Sequence, residues 1–262
     1  MRRPRRTPAL ALSVGAAIAV LGGARAARAQ VNDVKFEESE QPLGRYHSPQ
    51  HFAVELRFGP FRPNVDSEFQ NDQPPRTPYN DFFGPGSHLM TEAEFDYELY
   101  HRFGTAGVGV SVGYFSVSGT APFDNGLASG DQSTLKVVPI ALLGVYRFDY
   151  FLQQRNVPLV PFVKLGLNWA YWQITDGNGQ IATDSSGARG QGGTFGWQAA
   201  AGLALVLDMF DPDAAKDFDS DLGVNHTALV LQFVHADISG LGQSDRLHVG
   251  DDTWSAGLLV EF

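Results

Sequence analysis

The stretch TEAEFDYEL, residues 91–99, decides the fold. Acidic and apolar residues alternate through it without interruption: Glu92, Glu94, Asp96 and Glu98 against Ala93, Phe95, Tyr97 and Leu99. In a helix, where each residue turns by about 100°, the acids would scatter around the axis, whereas in a β-strand they share one face. The pattern therefore predicts a strand that meets a polar environment on one side and an apolar environment on the other.

The same two-residue alternation recurs along the rest of the chain. Seven further segments show it: 51–59, 107–117, 134–148, 157–174, 194–208, 227–235 and 253–262. Long polar connections, such as 60–88 and 118–133, alternate with short ones such as 101–106. An even number of strands joined in this way is typical of a transmembrane barrel. We therefore predict an all-β fold: an eight-stranded antiparallel up-and-down transmembrane β-barrel over residues 51–262.

One connection, residues 209–226, is longer than this alternation requires. Asp211 suits a helix N-cap, Pro212 the first helical position and Gly223 the C-terminal stop. The apolar residues of the segment share one face: Ala214, Ala215, Phe218 and Leu222. We therefore predict one short periplasmic helix, 211–222, packed against the rim of the barrel.

The N-terminus has the features of a secretory signal peptide. Basic MRRPRRTP precedes an apolar run, and Ala27 and Ala29 occupy the small-residue positions of a cleavage site. The alternative is a membrane anchor, but an apolar run of about 15 residues is short for a helical span of roughly 20. We predict a signal peptide at 1–29, a periplasmic tail at 30–50 and the barrel at 51–262.

Composition excludes several classes of function. Six of the 19 basic residues and none of the 29 acidic ones lie in 1–29, so the mature chain has 13 basic against 29 acidic groups. Such a chain offers no basic patch for nucleic acid. It has no cysteine, which excludes disulfides and thiolate sites, and its histidines show no metal-ligand spacing. We predict no cofactor and no metal.

The C-terminus bears on which face meets lipid. A soluble lipocalin-like barrel would place its charges outside and its apolar residues inside, and an outer-membrane barrel inverts this arrangement. The last strand ends on apolar residues at two-residue steps, and it resembles the terminal signal that the assembly machinery of Gram-negative outer-membrane barrels recognises: Trp254, Leu258, Val260 and Phe262. This favours the outer membrane, with lipid, lipopolysaccharide and the assembly machinery as partners.

Longer runs also carry a family resemblance. SPQHFAVELRFGPFRPNVDSEF, VPLVPFVKLGLNWAYW, GVNHTALVLQF and HVGDDTW resemble segments of a myxobacterial family of outer-membrane β-barrel proteins with no assigned activity. The resemblance covers nearly the whole chain after Ser48. It implies the barrel fold and the outer-membrane location, and it supplies no catalytic residues.

The charged faces of the strands predict an acidic lumen. The predicted interior group is Glu55, Arg57, Glu92, Glu94, Asp96, Glu98, Lys136, Lys164, Asp208 and Glu261. Because eight strands leave an interior only wide enough for side chains to fill it, we expect ion pairs to plug the lumen. The alternative is a narrow pore for cations or small solutes, since a ring of acids favours cations.

Other candidate chemistry is weaker. His235 and Asp237, with Ser239 or Ser244, lie near one strand end without a spacing that fixes a catalytic geometry, so we predict no enzyme. The run DGNGQIATDSSG, from Asp176, begins like a calcium loop but has Ile181 in place of the turn glycine. The first long connection offers a surface for an unknown partner. We therefore predict a structural, adhesive or surface-interaction protein of the outer membrane, with a narrow pore or a soluble periplasmic binder as alternatives.

Overall fold

Backbone pairing closes the chain into a barrel. The computed structural model describes residues 51–122, 128–155, 157–183, 187–242 and 246–262, so the predicted signal peptide and tail lie outside the described residues. Each strand pairs antiparallel with the next, and β8 returns to β1. The strands are β1 Phe52–Phe61, β2 His88–His101, β3 Thr105–Pro122, β4 Ala128–Arg147, β5 Leu159–Thr175, β6 Gln191–Val206, β7 His226–Asp237 and β8 Asp252–Glu261. The predicted eight-stranded up-and-down barrel is confirmed.

The two ends of the barrel differ. The terminal end holds the start of β1, the end of β8 and the connections β2–β3, β4–β5 and β6–β7; the loop end holds the other four connections. Among the described residues the helices are a 3-10 turn Val65–Phe69, α1 Pro78–Phe83, α2 Tyr150–Arg155 and α3 Pro212–Leu222. The described part of the chain contains no helix long and apolar enough to span a membrane. The prediction of a single short helix missed α1 and α2.

Burial alternates along each strand with apolar residues on the outside. In β1 the outward side chains of Phe52, Val54, Leu56 and Phe58 are 41–45% exposed, whereas inward Glu55 and Arg57 are 1% exposed. In water this arrangement would expose apolar surface and bury charge, both of which cost free energy. It is the polarity of a barrel whose outer face meets lipid and whose closed sheet leaves no free edge.

The β3–β4 hairpin is longer than predicted. Residues 118–133 are not a long loop, because β3 continues to Pro122 and β4 begins at Ala128. Outward Ser116 and Ser118 are exposed, while inward Phe115 and Val117 are buried. The hairpin therefore keeps its two-residue period but changes its outer face from apolar to polar, as expected where strands leave the lipid.

Helix α3 is capped as predicted but is not packed as predicted. The Asp211 carboxylate accepts a hydrogen bond from the Ala214 N–H at 3.1 Å, and Gly223 takes the left-handed conformation, with φ of 70°. None of its residues is buried. The expected packing of its apolar face on the rim is not met by the large side chains: Ala214 and Ala215 are half-buried, but Phe218 and Leu222 are 50% and 64% exposed. After the helix, the Asn225 N–H donates to the Glu261 carbonyl oxygen at the end of β8.

Candidate functional site

The barrel interior holds a layer of charged side chains that we call the ionic layer. Strand parity places its members inside: β1 and β2 provide most of them, β4, β5 and β8 one each. The members are Glu55, Arg57, Glu92, Glu94, Asp96, Glu98, Arg147, Lys164 and Glu261. Six carboxyl groups thus face three cations in the middle of a closed sheet.

Arg57 organises one side of the ionic layer. Its guanidinium pairs with neighbouring Glu55 and lies 2.7 Å from Glu92 and 2.7 Å from Glu94. The register explains these contacts, because Arg57 stands opposite Glu92 and Glu55 stands opposite Glu94 across the β1–β2 pair. Opposite charges on adjacent inward positions of antiparallel strands stabilise the pairing.

Arg147 organises the other side, and it was not predicted. Its guanidinium pairs with Asp96 and lies 3.2 Å from Glu55, 3.3 Å from Glu98 and 3.9 Å from Glu261. The signal was present in the sequence: position 147 has the parity of the inward positions of β4. The predicted strand, 134–148, already contained this position, but the prediction did not apply parity to it.

Lys164 closes the ionic layer from β5. Its ammonium lies 2.8 Å from Glu55 and 2.6 Å from Glu94, with the Phe162 ring 5.1 Å away. Glu55 therefore contacts all three cations of the layer. Charge-assisted hydrogen bonds of this kind are short and strong when they exclude water.

Two residues predicted for the lumen lie elsewhere. Lys136 is exposed on the outer face of β4, because it has the opposite parity to buried Leu135 and Val137. Asp208 lies at the terminal end, 2.5 Å from the His226 imidazole and 3.1 Å from the Thr227 N–H. The prediction placed Lys136 in the lumen because of its charge. Its position in the two-residue alternation of β4 places it on the outer face instead.

Small residues on β3 make room for the layer. A Cβ atom added to Gly109 would lie 2.1 Å from Asp96 Oδ1, whereas one added to outward Gly144 would meet no atom nearer than 3.7 Å. Gly109 stands opposite Asp96 in the β2–β3 pair. The glycine therefore allows the Asp96 carboxylate to lie against the strand while it pairs with Arg147.

Three carboxylates of the layer come close enough to suggest a metal site. Ligand oxygens of Glu55, Glu94 and Asp96 lie within 4.8 Å of one another, and carboxylate oxygens suit hard divalent cations. The same carboxylates are already paired with the three protein cations of the layer. The guanidinium and ammonium groups therefore occupy the positions that a metal ion would need.

Two small cavities flank the ionic layer. The one toward the loop end is about 40 Å³ and is lined by Arg57, Asn168 and Ser255; the other, also about 40 Å³, is lined by Arg147 and His226. At about 10–15 Å³ per water, each has room for roughly three waters. Among the described atoms, Arg57 Nε, Asn168 Oδ1 and Ser255 Oγ have no protein partner, so we expect ordered water in the first cavity.

The loop end is closed by a structure that we call the cap: residues 62–83 and the described residues of 238–251. Apolar side chains from the cap and from the strands beneath it form one cluster: Phe61, Val65, Tyr79, Phe115, Val117, Leu135, Val137, Ala170, Ile238 and Val249. This buried apolar cluster lies at the loop end of the barrel interior.

Polar contacts hold the cap in place. The Asp66 carboxylate accepts hydrogen bonds from the N–H groups of Tyr79 at 2.7 Å and Asn80 at 3.3 Å, at the start of α1. The Arg62 N–H donates to Asp251 at 2.8 Å. Burial raises the pKa of Asp251 to about 6 and that of Tyr79 to about 12. The cap is thus attached to the start of β8 by a partly buried carboxyl group.

No protein-family model matches this chain, and no curated protein matches it. Outer membrane protein OprG from Pseudomonas aeruginosa is 14% identical, with a TM-score of 0.45 over 85% of this chain and 99% of its own. Neisserial surface protein A is 12% identical, with a TM-score of 0.40 over 82% and 98%. Ail, the attachment invasion locus protein of Yersinia pestis, is 12% identical, with a TM-score of 0.37 over 81% and 97%. The likeness is one of fold.

The candidate catalytic residues are not brought together. His235 pairs with Asp252 at 2.5 Å, while Asp237 lies 3.6 Å from the Nε2 atom of His248. Ser244 lies outside the described residues. His235 and Asp237 therefore have other partners instead of each other, and the alternative that uses Ser244 stays a prediction.

A different trio, Ser67, His248 and Asp237, comes closer to a catalytic arrangement. The Ser67 hydroxyl lies 2.8 Å from His248 Nδ1, but it donates to the Asn64 carbonyl oxygen at 2.7 Å. The 3.6 Å separation of His248 and Asp237 exceeds a hydrogen bond. A serine whose proton goes to a backbone carbonyl is not activated by the histidine, so this trio supports the cap rather than catalysis.

The calcium-like run and the C-terminal residues take structural positions. The Asp176 carboxylate accepts hydrogen bonds from the N–H groups of Asn178 at 3.0 Å and Gln180 at 2.9 Å, closing a turn on itself; residues 184–186 lie outside the described residues. Trp254 and Leu258 are exposed on the outer face of β8. Their reading as an assembly signal, with Val260 and Phe262, stays a prediction.

Proposed function

We propose that this chain is an outer-membrane barrel of a Gram-negative bacterium that acts as a structural, adhesive or surface-interaction protein. Its terminal end faces the periplasm and its loop end faces the exterior. One observation supports the proposal: the lumen holds buried ion pairs at the ionic layer and a buried apolar cluster at the loop end, and we interpret the two together as closing the barrel. A barrel closed at both levels has its remaining functional surface on the outside.

The distribution of charge supports membrane embedding over a soluble periplasmic binder. A lipocalin-like barrel keeps an apolar ligand cavity inside. Here the lumen holds paired charges, and the two cavities that flank them among the described residues have room only for a few waters. The signal peptide, the assembly signal, the lipopolysaccharide contact and the resemblance to the myxobacterial family belong to the same proposal.

The loop end provides the surface for a partner. The β3–β4 hairpin projects with polar outer residues, and the cap presents α1 and the 3-10 turn Val65–Phe69 over the mouth. Rigid elements that display variable connections are suited to recognition. The chemical class of the partner stays open.

Orientation and surface display are tested by labelling whole cells. Because the chain has no cysteine, Asn71→Cys in the cap and Lys216→Cys in α3 each introduce a single reactive thiol. We expect a membrane-impermeant maleimide to label position 71 on intact cells and position 216 only after the outer membrane is permeabilised. The reverse pattern, or labelling of neither position in a folded barrel, would contradict the proposal.

A narrow cation-preferring pore is the second candidate. The excess of acids in the ionic layer and the cavities on either side of it favour this candidate. Purified barrel in a planar bilayer tests it: a closed lumen gives no discrete single-channel current. A discrete cation-selective current would contradict a closed lumen. If the double variant Glu94→Gln/Asp96→Asn then lost the preference for cations, the result would support the pore.

A further inference from the structure

Helix α3 and the residues just before it, from Met209, carry large apolar side chains that the described chain leaves exposed. Phe210 is 68% exposed, Leu222 is 64%, Phe218 is 50% and Met209 is 43%. Four large apolar side chains are thus exposed on one short connection, and exposed apolar surface of this kind marks interaction sites. We call residues 209–222 the rim segment.

The helix of the rim segment is amphipathic. At about 100° per residue, Ala214, Ala215, Phe218 and Leu222 fall within one arc about 100° wide. Ser220 lies on the opposite side, flanked by the charged residues Asp213, Lys216 and Asp217. The charged face therefore suits water while the apolar face suits an environment that removes it from water.

The rim segment continues the outer face of the barrel directly. Leu203 is an exposed outward residue of β6, and the chain passes from the end of β6 to Met209 and Phe210 before α3 begins. Elsewhere at the terminal end, Phe103 and Phe151 are also exposed. Aromatic residues at this level are typical of the girdle where a membrane barrel meets the headgroups.

We propose that the rim segment lies in the periplasmic leaflet as an interfacial helix, with Phe210, Phe218 and Leu222 inserted at the boundary between headgroups and acyl chains. The occupant of its apolar face is phospholipid, because the chain reaches this face directly from the outward residues of β6 and other exposed aromatic residues lie at the same end of the barrel. This inference rests on the proposed function. The inference gives the long connection between β6 and β7 a role. Its helix would fix how deeply the barrel sits in the membrane and how it is tilted, from the periplasmic side.

Site-directed spin labelling tests the inference in bilayer nanodiscs. The absence of cysteine allows single nitroxide labels at Phe218→Cys and Leu222→Cys, with Ser220→Cys as the matched control on the opposite face and Leu165→Cys as the reference on the lipid-facing band. Power saturation compares collisions with oxygen, which enters lipid, and with a water-soluble nickel chelate. We expect oxygen to dominate at positions 165, 218 and 222, and nickel to dominate at 220.

Each outcome decides the matter. Nickel access at 218 and 222 equal to that at 220, with oxygen access at 165, overturns the inference and leaves the membrane barrel standing. Exclusion of both reagents at 218 and 222 also overturns it, because protein rather than lipid would then cover the face. Heat-modifiable gel migration shows whether the barrel is still folded. Nickel access at position 165 in a barrel that passes this check would contradict the proposed function as well as the inference.

Discussion

Replacing Arg147 with methionine tests the ionic layer most severely. Methionine keeps much of the length of the side chain and removes only the charge and its hydrogen bonds. Arg147 is 3% exposed and pairs with Asp96, with Glu55 at 3.2 Å and with Glu98 at 3.3 Å. Removing one partner of a buried ion pair costs about 3–5 kcal/mol, because the remaining charge stays buried without compensation.

We therefore expect Arg147→Met to lower the free energy of unfolding by about 3–5 kcal/mol, a change of two to four orders of magnitude in the unfolding equilibrium. Urea unfolding of the barrel in lipid vesicles at neutral pH, followed by tryptophan fluorescence and by gel mobility, measures it. Lys136→Met is the matched control. It removes an exposed charge from the same strand, and we expect a change within about 0.5 kcal/mol.

A double variant sharpens this prediction. Adding Asp96→Asn to Arg147→Met removes the carboxylate that Arg147 contacts most closely, so the double variant should be more stable than the sum of the two single variants predicts. Equal losses for Arg147→Met and Lys136→Met would refute the assignment of Arg147 to the lumen. A loss below about 1 kcal/mol for Arg147→Met would show that water reaches the layer and screens its charges.

Two further changes test the packing of the layer and the cap. Gly109→Ala should destabilise the barrel by about 1–3 kcal/mol through overpacking against Asp96, whereas Gly144→Ala should be neutral; urea midpoints that are equal for both would contradict the tight fit. Burial raises the pKa of Asp251 from 3.8 to about 6, so the closed cap binds this proton more tightly than the open cap. The contribution of Asp251 to the stability of the cap is therefore fully present below pH 3.8, and it is lost as the pH rises through about 6. Amide exchange of residues 62–83, corrected for its intrinsic pH dependence, should accelerate over that range, and Asp251→Asn should remove most of the acceleration.

The sequence was sufficient for the barrel because its signal is local. A two-residue period survives in every strand, and it places Glu55 and Arg57 on the same inward side as the acids of residues 91–99. Assigning the inside of a strand by parity succeeds wherever charged and apolar faces differ. In β4 both faces are apolar over much of their length, so Lys136 was placed inside by its charge and Arg147 was missed.

The structures of the cap and of the rim segment could not be predicted from the sequence, because they depend on contacts between residues far apart in the chain. Tyr79 and Val65 lie in a polar connection, and only closure of the barrel brings Ile238 and Val249 against them. The amphipathic pattern of α3 identified its apolar face, but a pattern cannot distinguish a face buried against protein from one whose large side chains stay exposed. The predicted packing on the rim was therefore wrong although the helix itself was right.

A nitroxide scan of β5 from position 163 to 168 in a bilayer tests whether the exterior of the barrel faces lipid around a closed ionic lumen. Val163, Leu165 and Leu167 face outward and are 53–64% exposed, whereas Lys164 and Asn168 are 3% exposed inside the barrel. We predict oxygen access at 163, 165 and 167, and exclusion of both oxygen and the nickel chelate at 164, 166 and 168. Nickel access at the three outward positions, in a barrel that remains folded, would contradict a lipid-facing exterior around a closed ionic lumen.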